Sequence, residues 1–143
     1  MYIAVVPETK KKLKGSQELD DYILLHSGVP TNKRAVAGIA VMIKAKFKKR
    51  IHSYVFVNER ILQLRYKLQR GYLILLAVYA PEEGKTEQTE EFCETLQGQL
   101  DKISKNDYIV VAGDYNARVG NIPIDGILGT NGEITSNSNG HRL

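Results

Sequence analysis

The chain has 143 residues, 43% hydrophobic and 25% charged, which is the composition of one ordinary globular domain. No apolar run approaches the roughly 20 residues that a transmembrane helix needs, and no basic segment followed by an apolar run opens the sequence. Cys93 is the only cysteine, which excludes an intrachain disulfide and a cysteine zinc site. We therefore expect an intracellular protein, nuclear or cytoplasmic, that is not secreted and does not enter a membrane.

The net charge of +4 is unevenly distributed along the chain. Residues 1–50 contain eleven Lys and Arg against four acids, whereas residues 81–107 contain three basic residues against eight acids. This asymmetry indicates either a basic face that meets a polyanion or, more simply for any single lysine run, solvated surface. Both interpretations stay open for the basic runs at 10–14 and 44–50.

In the first half of the chain, apolar runs between polar segments predict strands at residues 1–6, 22–26, 35–43, 53–57 and 61–68. Pro7 ends the first of them, and a polar loop then extends through Asp21. Gly38, within the third, indicates a close approach of the backbone to another part of the chain. A basic connector over residues 44–50 follows that strand.

The second half predicts a hairpin, a helix and a final strand. A tight turn at 69–71 leads into the almost wholly apolar run at 72–79, which should be a central strand. Thr86 is a suitable N-cap for a helix whose apolar residues recur at helical spacing, namely Phe92, Leu96, Leu100 and Ile103. The β-branched run at 108–112 is typical of a strand buried on both faces. Strands dominate, so the predicted fold class is α/β or α+β, built on sheets.

Polar side chains follow three of these strands at the point where each one ends. Asp114 and Asn116 come after the run at 108–112, and residues two apart in an extended segment share a face. From spacing alone, a ligand-binding strand end and an ordinary turn are equally open interpretations of this motif. Together with Glu8 and Tyr79 at the other strand ends, these groups suit a hard divalent cation such as Mg²⁺ and the cleavage of a phosphate ester.

Three short motifs carry a resemblance to a known family, and they occur in that family's order: Pro7-Glu8-Thr9-Lys10, Val78-Tyr79-Ala80-Pro81 and Gly113-Asp114-Tyr115-Asn116-Ala117. The segments 27–28, 37–40, 58–61 and 129–143 are similar to the same group. The chain resembles the endonuclease/exonuclease/phosphatase superfamily over essentially its whole length. Within it, the closer resemblance is to the apurinic-endonuclease-like domain of non-LTR retrotransposons and of host proteins derived from them.

The resemblance implies a sandwich of two β-sheets flanked by helices and the hydrolysis of a DNA phosphodiester. Glu8 would be the ligand of Mg²⁺, with Mn²⁺ as the alternative metal. Tyr79 would lie near the scissile phosphate, Asp114 would orient or deprotonate the attacking water, and Asn116 would hold the phosphate or the leaving oxygen. Double-stranded DNA is the implied partner, and the predicted nucleic-acid contacts are Lys10, Lys12, Lys33 and Arg34.

This sequence also departs from the family pattern. Pro7 stands where the family usually has glutamine, and the upstream catalytic asparagine and the later aspartate-histidine pair of the family are missing. We therefore expect residues 1–143 to be a single partial domain, truncated at both ends. Because catalytic groups act as a unit, we expect it to be inactive or weak as a nuclease.

Two other functions remain as hypotheses. The basic first third favours a non-catalytic nucleic-acid-binding or scaffolding protein derived from such a domain. A phosphatase or phospholipase of the same superfamily is disfavoured, because that activity needs the aspartate-histidine motif equally.

Overall fold

A computed structural model describes residues 2–143, so Met1, which the sequence assigned to the first strand, lies outside the described residues. The strands are β1 (Ile3–Val6), β2 (Lys14–Glu18), β3 (Tyr22–Ser27), β4 (Ile39–Lys44), β5 (Ile51–Phe56), β6 (Ile61–Lys67), β7 (Tyr72–Tyr79) and β8 (Tyr108–Asp114). They form two four-stranded sheets, ordered β1-β4-β3-β2 and β5-β6-β7-β8. The predicted two-sheet architecture is confirmed.

The two sheets enclose the main apolar core. Leu25, Ile39 and Val41 of the first sheet pack with Leu62 and Leu64 of the second, and all of them are at most 1% exposed. These residues alternate along their strands with residues of the outer faces, as the two-residue period of a pleated strand requires. Burial of this apolar surface is the main force that holds the sheets together.

The one α-helix of residues 2–143, α1 (Thr86–Leu100), connects β7 to β8, which run parallel in the second sheet. Phe92 of α1 packs with Ile61, Leu76 and Val78 on the outer face of that sheet, as the helical spacing of the apolar residues predicted. The predicted N-cap was wrong, because Lys85 occupies that position and Thr86 is the first helical residue. Within residues 2–143, no helix has the length and apolar character needed to cross a membrane.

The structure corrects the prediction at three segments of the first half. The polar loop expected through Asp21 contains β2, which pairs antiparallel with β3. The strand predicted from residue 35 begins at Ile39. The preceding Gly38 has a φ of 145° and lies so close to Thr9 that a Cβ there would meet the threonine hydroxyl. This position confirms the predicted close approach. The basic connector is a 3₁₀ helix, Ala45–Arg50, and β5 begins directly after it.

The prediction that the run at 108–112 is buried on both faces was also wrong. In the part of the chain that the structure describes, β8 is an edge strand that pairs with β7 alone. Tyr108, Ile109 and Val110 are 63%, 45% and 44% exposed. The central position belongs instead to β7, as predicted, since it pairs with both β6 and β8. The predicted hairpin between β6 and β7 is confirmed by a hydrogen bond from Leu68 N to Gly71 O across the turn.

Candidate active site

Tyr79 and Asp114 lie side by side at the carboxyl ends of two parallel strands. The register of β7 and β8 places Tyr79 opposite Asp114, and the Ala80 amide continues the ladder by donating to the Asp114 carbonyl at 2.8 Å. Gly113 permits this close pairing, since a Cβ at its position would overlap the Val78 carbonyl. Ligands of open α/β sheets bind at such strand ends.

Glu8, the third predicted site residue, lies near Tyr79 and Asp114. Burial is the largest cause that raises the pKa of Tyr79, and the negative charges of Glu8, Glu82 and Asp114 raise it further, against the opposing charge of Arg60. Glu8 follows the end of β1 in the other sheet, so both sheets contribute carboxylates near this phenol. The structure therefore groups Glu8, Tyr79 and Asp114 at one end of the sandwich.

Asn116 occupies a different conformation from the one that its spacing predicted. Its φ of 46° is left-handed, so Asp114 and Asn116 are not two residues on one face of an extended segment. Instead, the backbone N–H of Asn116 donates to Oδ1 of Asp114 at 2.8 Å, and the side-chain Nδ2 of Asn116 donates to the Ala80 carbonyl at 2.8 Å. The Asn116 side chain thus ties the loop after β8 to the loop after β7.

Glu8 lies at the surface and already has a cationic neighbour. Its Oε1 is 3.0 Å from Nζ of Lys10, and both side chains are more than half exposed. Glu8 and Lys10 have φ values of 53° and 51°. Left-handed residues other than glycine are uncommon and cluster at functional sites, so this strained segment beside Tyr79 supports a functional interpretation.

The four predicted nucleic-acid contacts do not form one cluster. Lys10 pairs with Glu8, whereas Nζ of Lys12 reaches the loop between β3 and β4 and donates to the carbonyls of Thr31 and Lys33. Lys33 and Arg34 line an open cavity of about 440 Å³ beside α1. Lys12 thus links the segment after β1 to the loop between β3 and β4, which carries Lys33 and Arg34.

Arg60 is a site residue to which the sequence assigned no role. It lines the cavity beside Lys33 and Arg34 and also a smaller one of about 270 Å³ that reaches Tyr79. Its guanidinium lies 5.4 Å from the Tyr79 ring centroid and donates to the Tyr79 carbonyl at 3.2 Å. These contacts join residues 19 positions apart in sequence, so spacing gave no signal of them.

Asn139 and Asn137 hold the loop that carries Asn116, and the sequence gave them no role either. Nδ2 of Asn139, which is buried, donates to the carbonyls of Pro81 and Asn116 at 3.0 and 3.1 Å. Nδ2 of Asn137 donates to the same Asn116 carbonyl at 3.1 Å. The resemblance of the segment 129–143 was the one signal that pointed to this region.

Mg²⁺ is the metal that the family resemblance implies. Among residues 2–143, no group of three or more His, Cys, Asp or Glu side chains could hold a metal ion. Mg²⁺ usually binds through one or two carboxylates with waters and substrate phosphates, and the Glu8 carboxylate fits that mode. A cation at Glu8 would compete with the ammonium of Lys10.

Comparison with known proteins identifies relatives by sequence and by fold. The chain is 30% identical over 142 residues to craniofacial development protein 2 from Bos taurus and from Tragulus javanicus. These alignments cover 96% of this chain but 23% and 24% of the relatives, so the chain spans about a quarter of their length. No protein-family model matches the sequence.

Among solved structures, the fold is similar to that of the AP endonuclease LMAP from Leishmania major. The TM-score is 0.62 at 14% sequence identity, over 82% of this chain and 46% of the endonuclease. At this identity the likeness concerns the fold alone, and it confirms the predicted class. The chain is thus similar in sequence to craniofacial development protein 2 and similar in fold to an AP endonuclease.

Proposed function

We propose that this chain is part of a Mg²⁺-dependent DNA endonuclease of the non-LTR retrotransposon type and that it is inactive or weak by itself. The observation that carries the proposal is the pairing of Tyr79 with Asp114 at the ends of β7 and β8, with Glu8 close enough to act on the same phenol. Double-stranded DNA is the proposed substrate, and the reaction is hydrolysis of a phosphodiester.

In this proposal the residues divide the chemistry among them. The Tyr79 phenol, whose pKa burial raises above its ordinary value, is protonated at neutral pH and can donate a hydrogen bond to a phosphate oxygen. Oδ1 of Asp114 accepts a hydrogen bond from the backbone N–H of Asn116. We assign Oδ2 of Asp114 as the atom that orients the attacking water or takes its proton. Asn116 and Asn139 fix the spacing between the two loops that present these groups.

Glu8 is the proposed ligand of Mg²⁺, or of Mn²⁺ in its place. The metal, when bound, would neutralise phosphoryl charge and lower the pKa of the attacking water. The expected weakness follows from the sequence, which contains no aspartate-histidine pair to complete the set of catalytic groups. Removal of one member of such a set abolishes most of the rate.

A plasmid-nicking assay tests this proposal. With supercoiled DNA and Mg²⁺, the chain should nick at or barely above the rate of its Asp114→Ala variant. Rapid Mg²⁺-dependent nicking that disappears in Asp114→Ala would contradict the expected weakness while it supports the assigned chemistry. Rapid Mg²⁺-dependent nicking that persists in Asp114→Ala would contradict the site.

The second candidate is a non-catalytic nucleic-acid-binding or scaffolding protein. It is favoured by the cations beside the site, Lys10, Lys12, Lys33 and Arg34, all of which are exposed. Contacts to phosphates release counterions, so the affinity for duplex DNA should fall steeply with salt. The same affinity should survive Glu8→Ala, and an absence of measurable binding at low salt would eliminate this candidate.

A further inference from the structure

The strongest local concentration of positive charge lies away from the candidate active site. Residues 44–50 contain five basic residues and no acid. The segment leaves the end of β4, whereas Glu8 lies beside the start of that strand, where the Thr9 amide donates to the Gly38 carbonyl. The six residues of β4 separate the two places by about 20 Å at roughly 3.3 Å per residue.

The 3₁₀ helix presents its cations to solvent. Lys46, Lys48, Lys49 and Arg50 are exposed, whereas Phe47 packs against the core, so packing does not explain the four cations. Lys67 at the end of β6 is also exposed, and its carbonyl accepts a hydrogen bond from Nη1 of Arg50 at 3.5 Å. We call these five residues the distal basic patch.

Little of this charge is neutralised within the protein. Lys48 forms an ion pair with Glu18. Among residues 2–143, none of the other four members of the patch has a carboxylate partner. Two further acids, Asp20 and Asp21, lie in the nearby turn between β2 and β3, so the patch retains an excess of positive charge.

Aromatic rings lie directly beside these cations. The rings of Tyr2 and Phe47 meet edge to face with centroids 5.0 Å apart, and Nζ of Lys46 is 5.2 Å from each of them. Tyr2 is 60% exposed, so part of its ring is open to solvent. Cations with an exposed aromatic ring are the combination that binds single strands, because phosphates meet the cations and a base stacks on the ring.

We propose that the distal basic patch and Tyr2 form a binding site for single-stranded nucleic acid, at the opposite end of the sandwich from the candidate active site. A duplex fits less well, because its bases are already stacked and cannot use the Tyr2 ring. An acidic peptide would use the cations but not the ring. The proposal is independent of any nuclease activity.

Fluorescence anisotropy with labelled single-stranded DNA, single-stranded RNA and duplex DNA tests the site. Three phosphate contacts predict that single-strand affinity falls about 20-fold between roughly 50 and 200 mM salt. The triple variant Lys46→Gln, Lys49→Gln, Arg50→Gln should reduce the slope of log affinity against log salt by about two. Tyr2→Ala should weaken binding roughly fivefold or more, and Tyr2→Phe should restore it.

A control variant distinguishes binding at this site from a general effect of surface charge. Lys102→Gln with Lys105→Gln removes exposed charge elsewhere and should leave single-strand affinity within about twofold. Equal losses in the control and the triple variant would overturn the proposal, as would the absence of single-strand binding at low salt. A triple variant that loses more duplex affinity than single-strand affinity would overturn the assigned ligand, because the duplex proposed for the candidate active site binds elsewhere. Preference between the DNA and RNA strands would identify the source of the ligand.

Discussion

At the scale of single residues, the ionisation of Tyr79 connects the candidate site to stability. Burial, followed by the charge of Glu8, raises the pKa of this phenol in the folded chain. In the unfolded chain the phenol loses its proton near pH 10. The contribution of this phenol to the free energy of unfolding is therefore fully present below that pH and is lost as the pH rises through the folded pKa.

The variant Tyr79→Phe should therefore lose less stability than the natural chain when the pH rises above about 10. Urea unfolding followed at several alkaline pH values measures this difference as a shallower slope of unfolding free energy against pH. Burial also raises the pKa of Tyr115, so Tyr115→Phe should reduce the slope as well and the double variant should reduce it further. An unchanged slope in Tyr79→Phe would contradict the assigned surroundings of this residue.

The ion pair between Glu8 and Lys10 leads to a prediction about metal binding. Because the Lys10 ammonium lies 3.0 Å from the carboxylate that we assign to the metal, Lys10→Gln should strengthen Mn²⁺ binding. The gain should be about two- to fivefold, since exposed ion pairs are weak. Electron paramagnetic resonance of free Mn²⁺ measures the affinity.

Two variants control this titration. Lys105→Gln removes an exposed lysine that has no ion-pair partner among residues 2–143 and should change Mn²⁺ affinity little. Glu8→Gln should abolish the effect of Lys10→Gln. Weaker Mn²⁺ binding in Lys10→Gln than in the natural chain would show that Glu8 does not hold the metal.

At the scale of elements, two glycines make a matched pair of substitutions. Gly113→Ala places a Cβ against the Val78 carbonyl, and its φ of 150° is also unfavourable for alanine, so it should cost several kcal/mol by disrupting the β7–β8 pairing. Gly98→Ala in α1 meets no atom within 4 Å and should stabilise the chain by about 1 kcal/mol. Thermal unfolding compares the two, and a Gly113→Ala variant as stable as Gly98→Ala would contradict the tight pairing at this strand end.

The sequence predicted the existence and type of the elements that have an apolar pattern, but not all of their bounds. β7 has a long, strong pattern and was placed at its observed bounds. The start of α1 was placed within one residue, but the helix ends at Leu100, before the Ile103 that the predicted pattern included. β2 was missed because Lys14–Glu18 is polar throughout and is stabilised by its pairing with β3. The burial of β8 was wrong because a β-branched run does not reveal how many neighbours a strand has.

Part of the candidate site could be predicted from local sequence patterns, and part depends on contacts between residues that are distant in sequence. The strand ends that carry Tyr79 and Asp114 were recognisable, since each follows directly from an apolar run. The conformation of Asn116 was not, because it depends on hydrogen bonds to Ala80, Asn137 and Asn139, which are distant in sequence. Such contacts exist only once the two loops have met.

At the scale of the whole molecule, both sheets present an edge strand at the same side of the sandwich. β1 and β8 are the edges, and between them lies an open groove of about 420 Å³ lined mainly by apolar side chains, among them Ile3, Val5, Leu75 and Val110. Unpaired strand edges beside exposed apolar surface favour pairing with another chain. We therefore expect the isolated chain to associate with itself as its concentration rises.

The variant Val110→Lys should reduce this association, because a charged side chain in the middle of β8 opposes edge-to-edge pairing and the burial of the groove. Sedimentation velocity over a series of protein concentrations measures the effect as a shift toward the monomer. Ile134→Lys is the matched control, since Ile134 is 88% exposed but lies outside the strands. A natural chain that stays monomeric at its highest soluble concentration would contradict the prediction, whereas equal effects of the two substitutions would attribute the association to general surface hydrophobicity and not to the β8 edge.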